Sequence, residues 1–241
     1  MSGHRGDLAS HGTQADDHSG SAFVAPPAPE RADAPAAVSD LHLPAVVLIR
    51  HGETAWSRTG QHTGRTDVPL TAAGEEQART AGAVIATLLA DHPPSVVISS
   101  PRQRAMRTAE LAGYPPQLVC HEAAEWDYGE FEGLTSDQIH ELYPEWSIWT
   151  GTVPGGETHD EVTARFDKLL ALISEHQPAG PVLVFSHGHA SRCLAARWLG
   201  EPVAAGGHYW LDTGAASSLG YEHGRAVILR WNLDHSVLRL Q

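Results

Sequence analysis

Cysteine is nearly absent from the 241-residue chain, which carries only Cys120 and Cys193. Two thiols cannot form the cross-linked framework of a small secreted domain, so a disulfide scaffold is excluded and a reducing compartment, the cytoplasm, is expected. Positive charge is also scarce: 16 Lys and Arg stand against 29 Asp and Glu, a formal net charge of −13. Such a surface repels nucleic acid and anionic membrane, and no basic run offsets it, so neither is expected as a partner. No apolar run approaches the roughly 20 residues of a membrane span. The stretch Met1 to Gly20 also lacks the apolar segment of a secretory signal. What remains is a soluble chain whose 41% apolar content is enough for a real core. An anionic small molecule would need a local positive pocket against this background, so the informative residues are clustered Arg and His.

Residues 1–40 are rich in Gly, Ser, Asp, Ala and Pro, and Phe23 is their one aromatic. They read as a disordered tail. His4, His11 and His18 lie there without tight metal-ligand spacing. Residues 41–241 read as one folded domain. Ala45 to Ile49 is continuously apolar, as a buried parallel strand is. Ala78, Ala81, Gly82, Ile85, Leu88 and Leu89 recur at helical spacing before Pro93. Val96 to Ile98 reads as a second strand, with Ser100, Pro101 and Gln103 as N-cap, first and third positions of a following helix. Leu118 to Cys120 reads as a short third strand. Val162, Phe166, Leu169, Leu170 and Ile173 mark a helix face, Pro181 to Phe185 a further strand, and Leu194 to Leu199 a helix. Ala216 to Tyr221 and Ala226 to Trp231 read as a hairpin about His223-Gly224. Alternating strands and helices predict a three-layer α/β/α sandwich with a mostly parallel sheet. Ligands of such sheets bind beyond the carboxyl ends of the strands.

Those strand ends carry the chemistry. The first strand exits into Arg50-His51-Gly52-Glu53-Thr54, the second into Ser99-Ser100 and a helix start bearing Arg102 and Arg104, the later one into Ser186-His187-Gly188-His189. Guanidinium and imidazole groups at three exits of one sheet predict an anion site, with helix N-termini adding positive potential.

Arg50-His51-Gly52-Glu53-Thr54 resembles the signature of the histidine phosphatase superfamily. Trp56-Ser57, Gln61 to Asp67 and Pro69-Leu70-Thr71 are similar to the loop that follows it there. Ser99-Ser100-Pro101 with Arg104-Ala105 and Thr108-Ala109 resembles the second motif. Glu125 with Gly129 and Glu132-Gly133 resembles the acid motif, and Ser186-His187-Gly188 the final one. The likeness runs in order from about residue 45 to 231 and implies a phosphoglycerate mutase-like fold.

The resemblance implies His51 as nucleophile, forming a phosphohistidine, with Arg50, Arg104 and His187 around the transferring phosphoryl group. Arg suits that task because its planar fork matches phosphate oxygens, and fixed cations stabilise the charge spread over them. Arg102 and Arg107 read instead as helix-surface charges. Glu125 is implied as general acid and later base. Glu122, Asp127, Glu130 and Glu132 lie close by, and spacing alone does not choose among them. Ser57, Thr63, Gly64 and Gly188 match positions that bind substrate in relatives. Ser57 stands where mutases commonly carry Asn, and His189 where a small or apolar residue is frequent. His187-Gly188-His189 reads as a substrate-facing or supporting pair, since no Asp/His set with metal spacing accompanies it. No metal or cofactor is expected. Trp126, Trp146, Trp149 and Trp210 read as core.

Mutases of the superfamily carry a long insertion between the acid motif and the second His. Here Glu125 and His187 are 62 positions apart, and Pro154 to Thr158 resembles the shorter phosphatase form. The loop 61–67 and Glu125 to Gly129 resemble a bacterial acid phosphatase and sedoheptulose-bisphosphatase branch. The expected partner is therefore a phosphate monoester, sugar phosphates included, with a phosphoglycerate mutase and a non-catalytic phosphate-binding module as the competing readings. An edge strand offers a route to a homodimer.

Overall fold

The computed structural model describes residues 44–90 and 92–234; the expected tail and its histidines lie outside these. Six strands form one sheet in the order β3-β2-β4-β1-β5-β6. They are β1 (Val46–Arg50), β2 (Val96–Ser99), β3 (Leu118–Val119), β4 (Val182–Ser186), β5 (Ala216–Glu222) and β6 (Arg225–Leu233). The pairs β1/β4, β2/β4 and β2/β3 are parallel, whereas β1/β5 and β5/β6 are antiparallel. The hairpin turns at His223 and Gly224, both at positive φ.

The uninterrupted apolar runs of β1 and β4 follow from burial on both faces. Val46, Leu48, Val182 and Val184 face one layer, with Phe166, Leu169 and Leu170 of α5 (His159–His176) and Leu194 and Trp198 of α6 (Gly188–Trp198). Val47, Ile49, Leu183 and Phe185 face the other, with Val84, Ile85 and Leu89 of α2 (Ala72–Leu89) and Ala109 and Ala112 at the end of α3 (Gln103–Leu111). Two short helices, α1 (Ala55–Thr59) and α4 (Ser136–Leu142), lie in the connections between the strands.

Three local expectations are corrected. Ser100 is not the N-cap of α3; that position is Arg102, and Gln103 opens the helix with its N–H on Asp67 Oδ1 at 2.8 Å. Ser100 is instead fully buried and its hydroxyl is taken up by His187. Trp210 is not core: it is 68% exposed, its indole N–H held by Asp212. Trp146 and Trp149 are half-buried, so of the four only Trp126 is a fully enclosed core residue. Cys120 and Cys193 are both buried and free.

Candidate active site

The site gathers where β1, β2 and β4 end. In-register pairing of Arg50 with Ser186 sets the residues that follow, His51 and His187, side by side. Their ring centroids are 5.2 Å apart with the planes at 66°. Both rings are buried.

His51 Nδ1 lies 2.7 Å from the Gly52 carbonyl. A carbonyl only accepts, so in the neutral ring the proton sits on Nδ1 and the Nε2 lone pair is free. Burial, then the charges of Arg104 and Arg50, hold its pKa well below the imidazole range, which keeps that lone pair unprotonated. His187 is the opposite tautomer. Its Nδ1 accepts from Arg104 Nε at 3.1 Å, so its proton is on Nε2 and is donated to Ser100 Oγ at 2.7 Å. Burial, followed by Arg104, keeps this ring neutral as well.

The two arginines differ. Arg50 donates to the Leu211 carbonyl, but its Nε is sealed from solvent and has no hydrogen-bond partner. Gly188 opens α6 directly beneath it: a Cβ there would lie 3.3 Å from the guanidinium carbon. Arg104 is fully buried and bonded to protein through His187, the Thr66 and Thr63 carbonyls at 2.9 Å each, and the Gly64 carbonyl at 3.3 Å. It is thus both a charge at the site and the clamp of the loop 61–67.

Glu125 is the one acid of its neighbourhood that is buried. Its Oε1 accepts from Trp126 N at 2.9 Å and Ala190 N at 2.8 Å, and Oε2 from His189 N at 3.1 Å, so it seats on the first turn of α6. These donors favour the ionised form, yet burial outweighs them and the pKa is raised. The alternatives are occupied elsewhere. Glu122 pairs with the Cys120 thiol and is lowered, Asp127 pairs with Arg65, Glu130 is exposed, and Glu132 holds the amides of Gly64 and Thr66.

The remaining expected residues are less directly placed. The Ser57 hydroxyl closes a capping box with Thr54, accepting from its N–H at 2.8 Å, and so belongs to the start of α1. Thr63 donates its hydroxyl to Gln61 O. Gly64 is needed for close approach, since a Cβ would meet the Trp126 carbonyl at 2.4 Å, but its N–H faces the Glu132 carboxylate at 2.9 Å. Its amide is thus already holding an anion, and that anion belongs to the chain itself.

Sequence reasoning missed the roles of Tyr128, Glu132 and Ser100. Tyr128 is buried with its hydroxyl 2.6 Å from His189 Nδ1, in a wall of rings that includes His62, Trp146 and Trp149. Glu132 clasps the amides of the loop whose carbonyls Arg104 holds. Only the acid motif hinted at Glu132, and nothing local marks the role of Tyr128. Among the described residues, no three His, Cys, Asp or Glu side chains gather to hold a metal. None of the described helices is long and apolar enough to cross a membrane.

Residues 46–234 match the family model of the histidine phosphatase superfamily, branch 1. The chain is 46% identical over 179 residues to an acid phosphatase of Mycobacterium tuberculosis, covering 74% of this chain and 87% of the relative. It is 35% identical over 187 residues to the sedoheptulose 1,7-bisphosphatase of Saccharomyces cerevisiae, covering 66% and 69%. A solved structure of a Mycobacterium tuberculosis open reading frame superposes with a TM-score of 0.76 at 42% identity, covering 79% of this chain and 97% of that one.

Proposed function

This chain belongs to the histidine phosphatase superfamily and is a phosphatase, and we propose that it hydrolyses phosphate monoesters in two steps through a phosphohistidine on His51. The observation that carries the mechanism is the His51 tautomer, a buried neutral ring with its proton anchored on Gly52 O and a free Nε2 lone pair between two guanidinium charges.

In the first step the Nε2 lone pair attacks phosphorus, an N–P bond forms, and the ester P–O bond breaks. Glu125, whose raised pKa favours the protonated form, passes its proton to the departing alkoxide. In the second step the Glu125 carboxylate takes a proton from water as the water oxygen attacks phosphorus. The N–P bond breaks, and inorganic phosphate and neutral His51 are restored. Arg50 and Arg104 stabilise the charge spread over the phosphoryl oxygens, Arg50 through its uncommitted Nε–H, and His187, bonded to Arg104 on one ring nitrogen and to Ser100 on the other, orients the Arg104 guanidinium. Thr63, Gly64 and Gly188 shape the rim, and Ser57 acts through α1.

Sugar phosphates are the favoured substrate class, on the likeness to a sedoheptulose bisphosphatase. The short interval between Glu125 and His187 disfavours a mutase, which must shield its phosphoenzyme from water.

The test is rapid-quench trapping with a 32P-labelled monoester, with p-nitrophenyl phosphate and 3-phosphoglycerate assayed alongside. The expected outcome is an acid-labile, base-stable label on His51, steady phosphate release, and no isomerisation. His51→Ala should abolish turnover, by at least about 10⁴-fold, with an unchanged melting curve. Normal hydrolysis by folded His51→Ala protein would sink the mechanism.

A further inference from the structure

Two guanidinium nitrogens near the site are buried without a partner: Arg50 Nε and Arg102 Nε. The first belongs to the cluster already described. The second contradicts the expectation that Arg102 and Arg107 are both surface charges. Arg107 is one, half-exposed and shared between Glu75 and Glu110. Arg102 is half-buried, and among the described residues no carboxylate forms an ion pair with it. Arg104 and His187 are lowered chiefly by burial, and the Arg102 charge adds to the lowering of both. Its backbone N–H reaches Ser100 Oγ at 3.3 Å, the same hydroxyl that accepts from His187 Nε2 at 2.7 Å.

A desolvated N–H without an acceptor is costly. So is a cation beside other cations, which the Glu125 and Asp67 carboxylates near Arg104 offset without forming an ion pair to Arg102. One event relieves both, the arrival of an anionic oxygen. Arg104 cannot serve that purpose with all its donors, because most are spent on His187 and the loop carbonyls.

We propose that Arg102 is a substrate-binding residue that donates a hydrogen bond to an anionic oxygen of the substrate beside His187. The assignment rests on the reading of this cluster as the phosphoryl site and adds a third guanidinium to it. The oxygen belongs to the transferring phosphoryl group or to a second acid group on the same substrate; the planar fork recognises either in the same way.

The experiment compares Arg102→Gln, Arg102→Lys and the control Arg107→Gln. Inorganic phosphate binding is measured by calorimetry, and kcat/KM with p-nitrophenyl phosphate and with a sugar bisphosphate. Arg102→Gln should lose about tenfold or more, the scale of a charge-assisted hydrogen bond, with Arg107→Gln unchanged. Equal loss for phosphate and both substrates places the contact on the transferring group; loss confined to the bisphosphate places it on the second acid group. Arg102→Lys keeps the charge without the fork and should restore the affinity only in part. Wild-type values throughout for Arg102→Gln, or full restoration by Arg102→Lys, would overturn the proposal. If Arg102→Gln does not fold by circular dichroism, Arg102→Lys alone decides, a loss supporting the contact and wild-type affinity refuting it. Calorimetry needs no turnover, so a chain that binds phosphate but traps no phosphohistidine would sink the mechanism and still test Arg102.

Discussion

Protonation state is the property on which the chemistry turns at the residue scale. His51 must be neutral to attack, and its pKa lies well below the ordinary 6.5 because burial and two guanidiniums penalise the imidazolium. Glu125 must be protonated to assist the leaving group, and burial lifts it above the ordinary 4.5. The two shifts bring the windows together on the acid side. We expect a bell-shaped kcat/KM profile with its acid limb below the imidazole range, its basic limb above the carboxylate range, and its maximum in mildly acidic solution. A profile measured at constant ionic strength that instead climbs through pH 6.5 like an ordinary histidine would contradict the tautomer reading. Both shifts come from desolvation. The motif letters marked His51, but no local signal separated Glu125 from its four acidic neighbours, because burial depends on α6 packing over it.

The critical junction at the scale of elements is between the exit of β1 and the first turn of α2. A Cβ on Gly74 would sit 2.1 Å from the Glu53 carbonyl, and one on Gly52 would sit 2.1 Å from the Gly74 carbonyl. Glu53 N also donates to Gln77 at 2.7 Å, and Thr71 N to the Glu53 carbonyl at 2.9 Å. The loop carrying His51 is thus laid directly on the helix. Gly74→Ala must push the two apart. It should cost about 1–3 kcal/mol of stability and lower kcat by displacing His51, read by urea unfolding and steady-state kinetics. Unchanged values for both would show that the junction yields freely. The loop 61–67 is a second junction, with its carbonyls on Arg104 and its amides on Glu132. Helix propensity and turn chemistry could not reveal it, since one clasp comes from about 40 residues away and the other from nearly 70.

Four imidazoles, the buried His51, His62 and His187 and the part-buried His189, are held neutral, His62 with a pKa near 4, and this sets the acid stability of the whole molecule. Their folded pKa values lie below the unfolded value of 6.5, so the unfolded chain binds protons first as pH falls. Stability is therefore fully present above pH 6.5 and lost below it, with a slope of up to about 1.4 kcal/mol per pH unit for each group. Glu125 acts with the opposite sign, being raised, but is one group against four. Urea midpoints taken from pH 7.5 down to 5 should fall steadily; a flat series would mean these rings are hydrated or charged in the native state. The expected acidic optimum then lies on the falling side of the stability curve.

By itself the sequence determined what short-range patterns can carry. Continuous apolar runs are enough to specify strands buried on both faces, and Arg50-His51 and Ser186-His187 follow such strands directly, so the parallel pairing of those two strands brings them together. It likewise made the phosphatase family legible through ordered motifs. The tertiary structure decided which groups are free to act. Ser57 is consumed by a capping box, Gly64 by Glu132 and most of Arg104 by the loop, while Arg50 and Arg102 keep unpartnered donors. Trp126 is enclosed and Trp210 is exposed. Each of these depends on desolvation and hydrogen-bond competition among residues far apart in the chain, and those are fixed only when the layers close around the sheet edge.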